Sequence, residues 1–343
     1  MKNLFSKKNI LITGGTGSIG SIIVKELLTK NFRSIRVLSN DENGLYKLSL
    51  DLSNNNRLDF FKSMKSKKIR FIYGDITDYN RMITVSENID CIIHTAALKH
   101  VPICEYNPFE ATKVNILGTE NLINAALKNK VSKFILISTD KVVDPTTCLG
   151  SSKLLAERIT LNANLIKGNK KTVFSVVRFG NVIGSRGSVL PQFLSQIKNN
   201  KDLTLTSKKS TRYFVTINES VNCIFNALKN MKGGEIFIPK NFYSIRIYDL
   251  AKVLINFFLK LKIKINVTGL RLREKLHEKI LSEDEKNNLK EVNNLYLIDT
   301  LNMHAKLKSK KILNSFSSND AKILSKREIL NYLLINKLIN KKK

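Results

Sequence analysis

Asn9-Ile10-Leu11-Ile12-Thr13-Gly14-Gly15-Thr16-Gly17-Ser18-Ile19-Gly20, with a helical pattern starting at Ser21, decides how the rest of the chain is read. The apolar run Asn9 to Thr13 predicts a strand. Gly14 permits a tight turn, Gly17 lets backbone approach a pyrophosphate, and Gly20 allows helix to pack closely on strand. A glycine triplet alone carries little weight, and a turn without a ligand is the competing reading. The strand before it, the helix after it and the repetition around it supply the context of a dinucleotide-binding turn.

Outward from that turn, the runs Ser34 to Ser39, Ile69 to Tyr73, Cys91 to His94 and Phe134 to Ser138 alternate with helix-length amphipathic stretches, and Thr172 to Phe179 adds a sixth strand. Near-continuous apolar strands separated by helices predict right-handed parallel crossovers and a doubly wound α/β sheet of the Rossmann type. From Gly184 onward the strands shorten, and helices are expected around Leu190 to Lys198, Asn218 to Asn230 and Ile247 to Lys260. The expected division is a dinucleotide-binding domain over 1–183, a smaller lobe over 184–300 with segments returning to the first domain, and a C-terminal extension over 301–343. Past Glu283 the chain is polar and poorly periodic until an amphipathic helix from Ser325 to Asn340.

The chain has 343 residues, 43% hydrophobic and 25% charged, which is the composition of a globular protein with a sizeable core. Its longest apolar runs, such as Phe134 to Ile137 and Val253 to Leu259, fall far short of the roughly 18 residues of a membrane span. The basic start Met1 to Lys8 leads into a strand and not into a signal peptide, so a cytoplasmic protein is expected. Cys91, Cys104, Cys148 and Cys223 lack CxxC spacing and read as free thiols, with no metal site. The net charge of +30 is scattered lysine without a recognition pattern, which argues against a nucleic-acid partner. Lys306 to Lys311 and Lys341, Lys342 and Lys343 read as solvated tail.

Three strand ends carry chemistry. Ser39-Asn40-Asp41-Glu42 lies where a carboxylate would take the ribose hydroxyls of NAD or an Arg would pair with the 2′-phosphate of NADP, and neutral Asn40 leaves both open. In Gly74-Asp75-Ile76, Asp75 can accept from an adenine amino group or cap the next helix. Ser138-Thr139-Asp140-Lys141 sets an acid beside a potential base at the ligand-binding edge of the sheet, although a surface Asp and Lys would look alike.

Together, Thr13 to Gly20, Ala96 to Pro102, Asn115 to Thr119, Thr139-Asp140-Lys141, Gly150 with Lys153, Arg178 to Gly187 and Glu274 to Glu278 resemble the extended short-chain dehydrogenase/reductase family. Within it they are most similar to the UDP-N-acetylglucosamine 4,6-dehydratases of surface-polysaccharide and flagellin-sugar pathways. The resemblance implies a tightly bound, recycled NAD(P)+ that takes hydride from carbon 4 and returns it to carbon 6 after water is eliminated across carbons 5 and 6. It implies Lys141 as base at carbon 5, Asp140 as acid for the 6-hydroxyl, Thr139 polarising the 4-oxygen, and Lys153 on the nicotinamide ribose. For Lys141 to act as a base it must lose its proton, through desolvation or a nearby cation. By the same resemblance Gly14, Thr16, Gly17, Ser18, Ile19, Gly20, Ser39, Asn40, Asp41, Asp75, Ile76, Ala96, Ala97, Lys99, Asn115 and Lys153 line the cofactor. Lys99, Asn181, Gly187, Ser188, Val189, Arg212, Arg271 and Glu274 would meet the UDP-sugar, with Arg212 and Arg271 on its diphosphate.

The sequence departs from this family at Leu149, which stands where an active-site Tyr is usual, four residues before Lys153. It also departs at Leu272-Arg273, which replaces a Pro-Gly pair. The resemblance further implies a homo-oligomer, formed through the helices at Glu110 to Asn129 and Gly150 to Leu165. A UDP-sugar 4-epimerase and a catalytically silent NAD(P)-binding protein are the alternative readings. The Asp140–Lys141 pair, idle in an epimerase, favours the dehydratase.

Overall fold

The structure is a computed structural model that describes residues 4–54, 68–240, 243–260, 262–301 and 316–340. The lysine runs Lys306 to Lys311 and Lys341 to Lys343, and most of the expected extension between 301 and 316, lie outside the described residues.

Strands β1 (Asn9–Thr13), β2 (Ser34–Ser39), β3 (Ile69–Tyr73), β4 (Cys91–His94), β5 (Lys133–Thr139) and β6 (Val173–Phe179) form the parallel sheet read from the sequence. Along β1 the side chains alternate between two cores: Ile10 and Ile12 pack on one face of the sheet, Leu11 on the other. Helices cover both faces, which is why these strands are mostly apolar. Helices α1 (Ser18–Leu27) and α2 (Glu42–Asn54) cover the first face, and α3 (Tyr79–Ser86) covers the second. Between β4 and β5 the chain runs through two short helices, α4 (Val101–Tyr106) and α5 (Pro108–Thr112), a π turn (Lys113–Leu117) and α6 (Gly118–Lys128). The long helix α7 (Cys148–Ile166) follows β5; α6 and α7 both pack on the second face.

Beyond β6 the chain builds a second lobe around its own core. Strands β7 (Asn181–Val182), β8 (Leu203–Leu205) and β9 (Thr211–Val215) are joined by α8 (Val189–Lys198). The chain then returns to the first sheet: α9 (Ile217–Asn230) packs on its first face and β10 (Glu235–Pro239) pairs parallel with β6. Next, β11 (Tyr243–Arg246), α10 (Ile247–Phe257) and β12 (Ile265–Val267) complete the lobe in two small sheets, β11-β9-β7 and β12-β8.

After the short α11 (Glu283–Lys286) the structure departs from the expectation of an aperiodic segment. Strands β13 (Leu289–Val292) and β14 (Leu295–Asp299) pair antiparallel and extend the sheet beyond β10, giving the order β13-β14-β10-β6-β5-β4-β1-β2-β3. Both are short, β13 forms the edge of the sheet, and Asn293 between them adopts φ 55°, the left-handed conformation of a tight hairpin. The final helix, α12 (Lys326–Ile335), begins where expected, in a capping box between Ser325 and Glu328, but ends five residues before Asn340. No helix among the described residues is long and apolar enough to cross a membrane.

Strand β1 has β2 on one side and β4 on the other, so the sheet's direction of winding reverses there. The loops leaving β1 and β4 therefore part at their carboxyl ends, and a crevice opens between them.

Candidate active site

The crevice is a cavity of about 500 Å³ floored by the glycine turn. Gly14 adopts φ 63°, and a Cβ on it would lie 2.7 Å from the backbone of Ala96. A Cβ on Gly20 would lie 2.4 Å from the Gly14 carbonyl oxygen, so only glycine lets α1 start this close to β1. Gly17 is the N-cap of α1 and brings no capping side chain, which leaves the helix N-terminus to a ligand. This cradle fits a dinucleotide pyrophosphate. Thr16, Ser18, Ile19, Ser39, Ile76, Ala96, Ala97 and Lys99 also line the cavity. Asn115 does not: it is buried, pairs its amide with both backbone groups of Leu98 and donates to the Ser152 hydroxyl, and so fixes the loop after β4.

At the far corner the polar groups are largely committed to one another. Asn40 donates to Asp75 Oδ2 at 2.8 Å, while Asp75 Oδ1 accepts from the Thr77 backbone and hydroxyl. Burial works against the Asp75 carboxylate, but these bonds outweigh it and hold its pKa below the usual value. Asp41 accepts from the Gly44 N–H, and Thr16 and Ser39 share a hydrogen bond. Arg186, which the sequence reading did not single out, reaches this turn from the second lobe. Its N–H donates to Ser18 Oγ at 2.9 Å, its guanidinium donates to the Thr16 carbonyl oxygen, and the Arg186 carbonyl oxygen accepts from Lys99 Nζ at 2.7 Å.

A second cavity, of about 360 Å³, lies in the second lobe and shares Lys99, His100, Lys141, Asn181, Gly187 and Ser188 with the first. Gly187 sits at φ 72°, with its missing Cβ replaced by the His100 ring. Val189 and Arg271 line this cavity. Arg212 and Glu274 line it too, but they are engaged with the surrounding loop. Arg212 donates to the carbonyl oxygens of Thr211, Lys275 and Leu276 and to Glu274 Oε1, and Glu274 also accepts from Thr206 and from the Arg271 N–H. In the changed segment, Leu272 is exposed, Arg273 takes φ 65°, and its guanidinium reaches Glu105.

Where the cavities meet, β5 ends in Thr139, Asp140 and Lys141. Asp140 is wholly buried and lines neither cavity; its Oδ1 accepts from the Thr139 hydroxyl and from Lys141 Nζ, both at 2.9 Å. Among the described residues its Oδ2 has no hydrogen-bond partner. Lys141 lines both cavities, also donates to Asn181 Oδ1 at 3.2 Å, and lies 3.6 Å from Glu278. Burial disfavours its ammonium, but Asp140 and Glu278 outweigh burial and raise its pKa. The expectation that desolvation frees Lys141 of its proton is therefore reversed, because two carboxylates face it.

Lys153, one turn into α7, is buried and donates to the Ile137 carbonyl oxygen at 2.7 Å. Burial pushes its pKa down to about 8 against a smaller opposing pull from Glu157. His94 is buried between the hydroxyls of Thr13 and Thr119 and held neutral, its pKa pushed down to about 3 by burial and by Lys153. Leu149 lines the first cavity and packs with Cys104 and Ala111. The reading from sequence passed over Glu278, His100 and Lys275 as site residues, although Glu278 closes the Glu274–Glu278 motif and His100 lies in the Ala96–Pro102 motif.

Residues 10–300 match the pattern of the polysaccharide biosynthesis protein family. An uncharacterised membrane protein of Methanocaldococcus jannaschii is 45% identical over 335 residues, 96% of each chain. A UDP-N-acetylglucosamine 4,6-dehydratase (inverting) of Campylobacter jejuni is 39% identical over 86% of this chain and 84% of its own. A UDP-glucose 4-epimerase of Rickettsia bellii is 38% identical over 96% of both. The X-ray structure of Pen from Bacillus thuringiensis superposes with a TM-score of 0.88 at 38% identity, covering 97% of this chain and 98% of that one.

Proposed function

The chain belongs to the polysaccharide biosynthesis protein family of extended short-chain dehydrogenases/reductases, whose members modify nucleotide sugars, and from that premise we propose that it is a UDP-N-acetylglucosamine 4,6-dehydratase. The observation that carries this reading is the Lys141–Asp140 contact at the junction of the two cavities. A dinucleotide in the first cavity and a UDP-sugar in the second would bring their reacting ends together there. Epimerisation at carbon 4 needs only hydride removal and return, whereas elimination needs a base at carbon 5 and an acid for the leaving hydroxyl.

NAD(P)+, when bound, accepts hydride from carbon 4 and gives it back at carbon 6. The chain's own residues handle the protons. Thr139 donates its hydroxyl to Asp140, which leaves lone pairs on Thr139 Oγ1 for the proton of the 4-hydroxyl, a duty that Leu149 cannot perform. Across the 2.9 Å contact a proton can pass from Lys141 to Asp140, creating a neutral amine and a carboxylic acid at once with no change in net charge. Lys141 then takes the hydrogen of carbon 5 as a proton. The proton of the 4-hydroxyl, released past Thr139 to solvent, is matched by the one that carbon 5 regains from solvent when hydride returns to carbon 6. Asp140, out of direct reach, returns its proton to the departing 6-hydroxyl through Thr139. Lys153 orients the nicotinamide ribose, and Arg271 with Arg212 faces the diphosphate.

Incubation with UDP-N-acetylglucosamine, followed by mass spectrometry, is expected to show a product lighter by one water. A product of unchanged mass with inverted carbon 4 would favour the epimerase, the reading supported by the Rickettsia relative. We further propose a homo-oligomer assembled on α4 to α7. Tyr106 and Phe109 are each 87% exposed there, with Leu165 and Ile166 exposed on α7. Light scattering at micromolar concentration is expected to give a dimer or larger, and Tyr106→Asp with Phe109→Asp is expected to shift it toward monomer.

A further inference from the structure

Glu278 is buried, with 4% of its surface exposed, and its N–H is fixed on Ser318 Oγ at 3.0 Å. Its carboxylate is placed less firmly. Oε1 lies 3.6 Å from Lys141 Nζ and 3.8 Å from Arg212 Nε, and Oε2, without a hydrogen-bond partner among the described residues, lies 4.0 Å from Lys275 Nζ. These separations are too long for hydrogen bonds. A buried carboxylate left without close donors is costly. The same fold ties Arg178 to two carboxylates at 2.7 and 2.8 Å, so the looser arrangement is no limit of the scaffold. At these distances Glu278 acts on Lys141 through its field and not through a hydrogen bond.

We infer that Glu278 is a positioning residue that acts through Lys141, drawing its ammonium to the junction of the two cavities and keeping it charged until substrate arrives. The inference rests on the reading of Lys141 as the proton carrier. Every charged group around Lys141 enters the balance. Asp140 at the end of β5 and Glu278 on the loop before α11 favour the ammonium. Burial, Arg212 on β9 and Lys275 on the same loop as Glu278 oppose it. The neutral Asn181 amide fixes its direction. Arg212 and Lys275 both face the second cavity and both lie beside Glu278. An anionic diphosphate engaging them would loosen their hold on Glu278, so Glu278 links the diphosphate end of the site to its proton-handling end.

The test follows the ionisation of Lys141 in the substrate-free full-length protein, by NMR of isotopically labelled lysine, with its signal identified by loss in Lys141→Ala. Glu278→Gln removes the charge and keeps the shape, and the Lys141 midpoint is expected to fall by about one pH unit. Glu278→Asp keeps the charge and is expected to restore most of the shift. An unmoved midpoint in Glu278→Gln overturns the inference. If Glu278→Gln does not fold, Glu278→Met, which also removes the charge, serves instead, and an unmoved midpoint there overturns the inference equally. The readout needs no substrate, so a wild type inert toward UDP-N-acetylglucosamine would refute the proposed reaction and leave this result standing.

Discussion

Two groups of buried charge lie at the carboxyl ends of neighbouring strands and are built in opposite ways. Behind β6, Arg178 spends all five of its N–H donors: three bonds and a fourth go to Glu157 and Glu285, two to each, and the fifth goes to the Ile280 carbonyl oxygen. Burial works against Glu285, but Arg178 more than offsets it and holds its carboxyl below the usual range. At the end of β5, Asp140 and Glu278 each keep one buried oxygen that has no hydrogen-bond partner among the described residues. A saturated cluster has one arrangement and ties the loop before β13 to the sheet. An unsaturated one holds acceptors in reserve, which is what proton transfer to an incoming ligand requires.

The sharpest way to break this contrast is at the open cluster. Asp140→Asn and Lys141→Ala are each expected to lower dehydration by about 10³-fold, measured as product formed per folded enzyme, while cofactor affinity holds. Thermal melting of Asp140→Asn, which removes the buried charge and keeps the shape, is expected to stay close to the wild type. A collapse of the fold would make this cluster structural after all.

At the closed cluster the expectation is the converse. Arg178→Met leaves Glu157 and Glu285 buried without their cation and is expected to cost about 3–5 kcal/mol in urea unfolding, with little change in turnover by the molecules that remain folded. A stable variant that loses turnover would move Arg178 into the catalytic machinery.

The smallest effect is expected from Leu149→Tyr. Leu149 borders the cavity, so a ring there gains open space on one side, and Lys153 would lower the pKa of the new phenol. Turnover is expected to stay the same or rise, with a new limb in the pH–rate profile from that phenol. Failure to fold would show that the contacts of Leu149 with Cys104 and Ala111 are what matter at this position.

The six strands of the first domain were legible because each is bounded by a break and all but β3, the edge strand with Arg70 and Tyr73 exposed, are largely buried on both faces, so period and punctuation agree. The hairpin of β13 and β14 was missed. Lys290 and Glu291 interrupt its apolar pattern, and the signal that could have found it was the Asn293-Asn294 pair between two short runs. At the site, adjacency in sequence brought Asp140 and Lys141 forward together. It could not reveal that one side chain lies beneath the floor and the other above it, since that depends on the turn following β5. Nor could local spacing disclose the charge on Lys141, because Glu278 is far away along the chain. Lone hydrogen-bond acceptors are a property of packing and leave no trace in composition.

Arg186 ties the second lobe to the first domain at three points: its own N–H on Ser18 and its guanidinium on Thr16, both in the glycine turn, and its carbonyl oxygen held by Lys99 on the loop after β4. The strap they make stands beside the first cavity, where Thr16, Ser18 and Lys99 are lining residues, and of these only Lys99 also lines the second. On the proposed assignment, opening the strap would govern exchange of the dinucleotide and leave that of the nucleotide sugar to the other lobe.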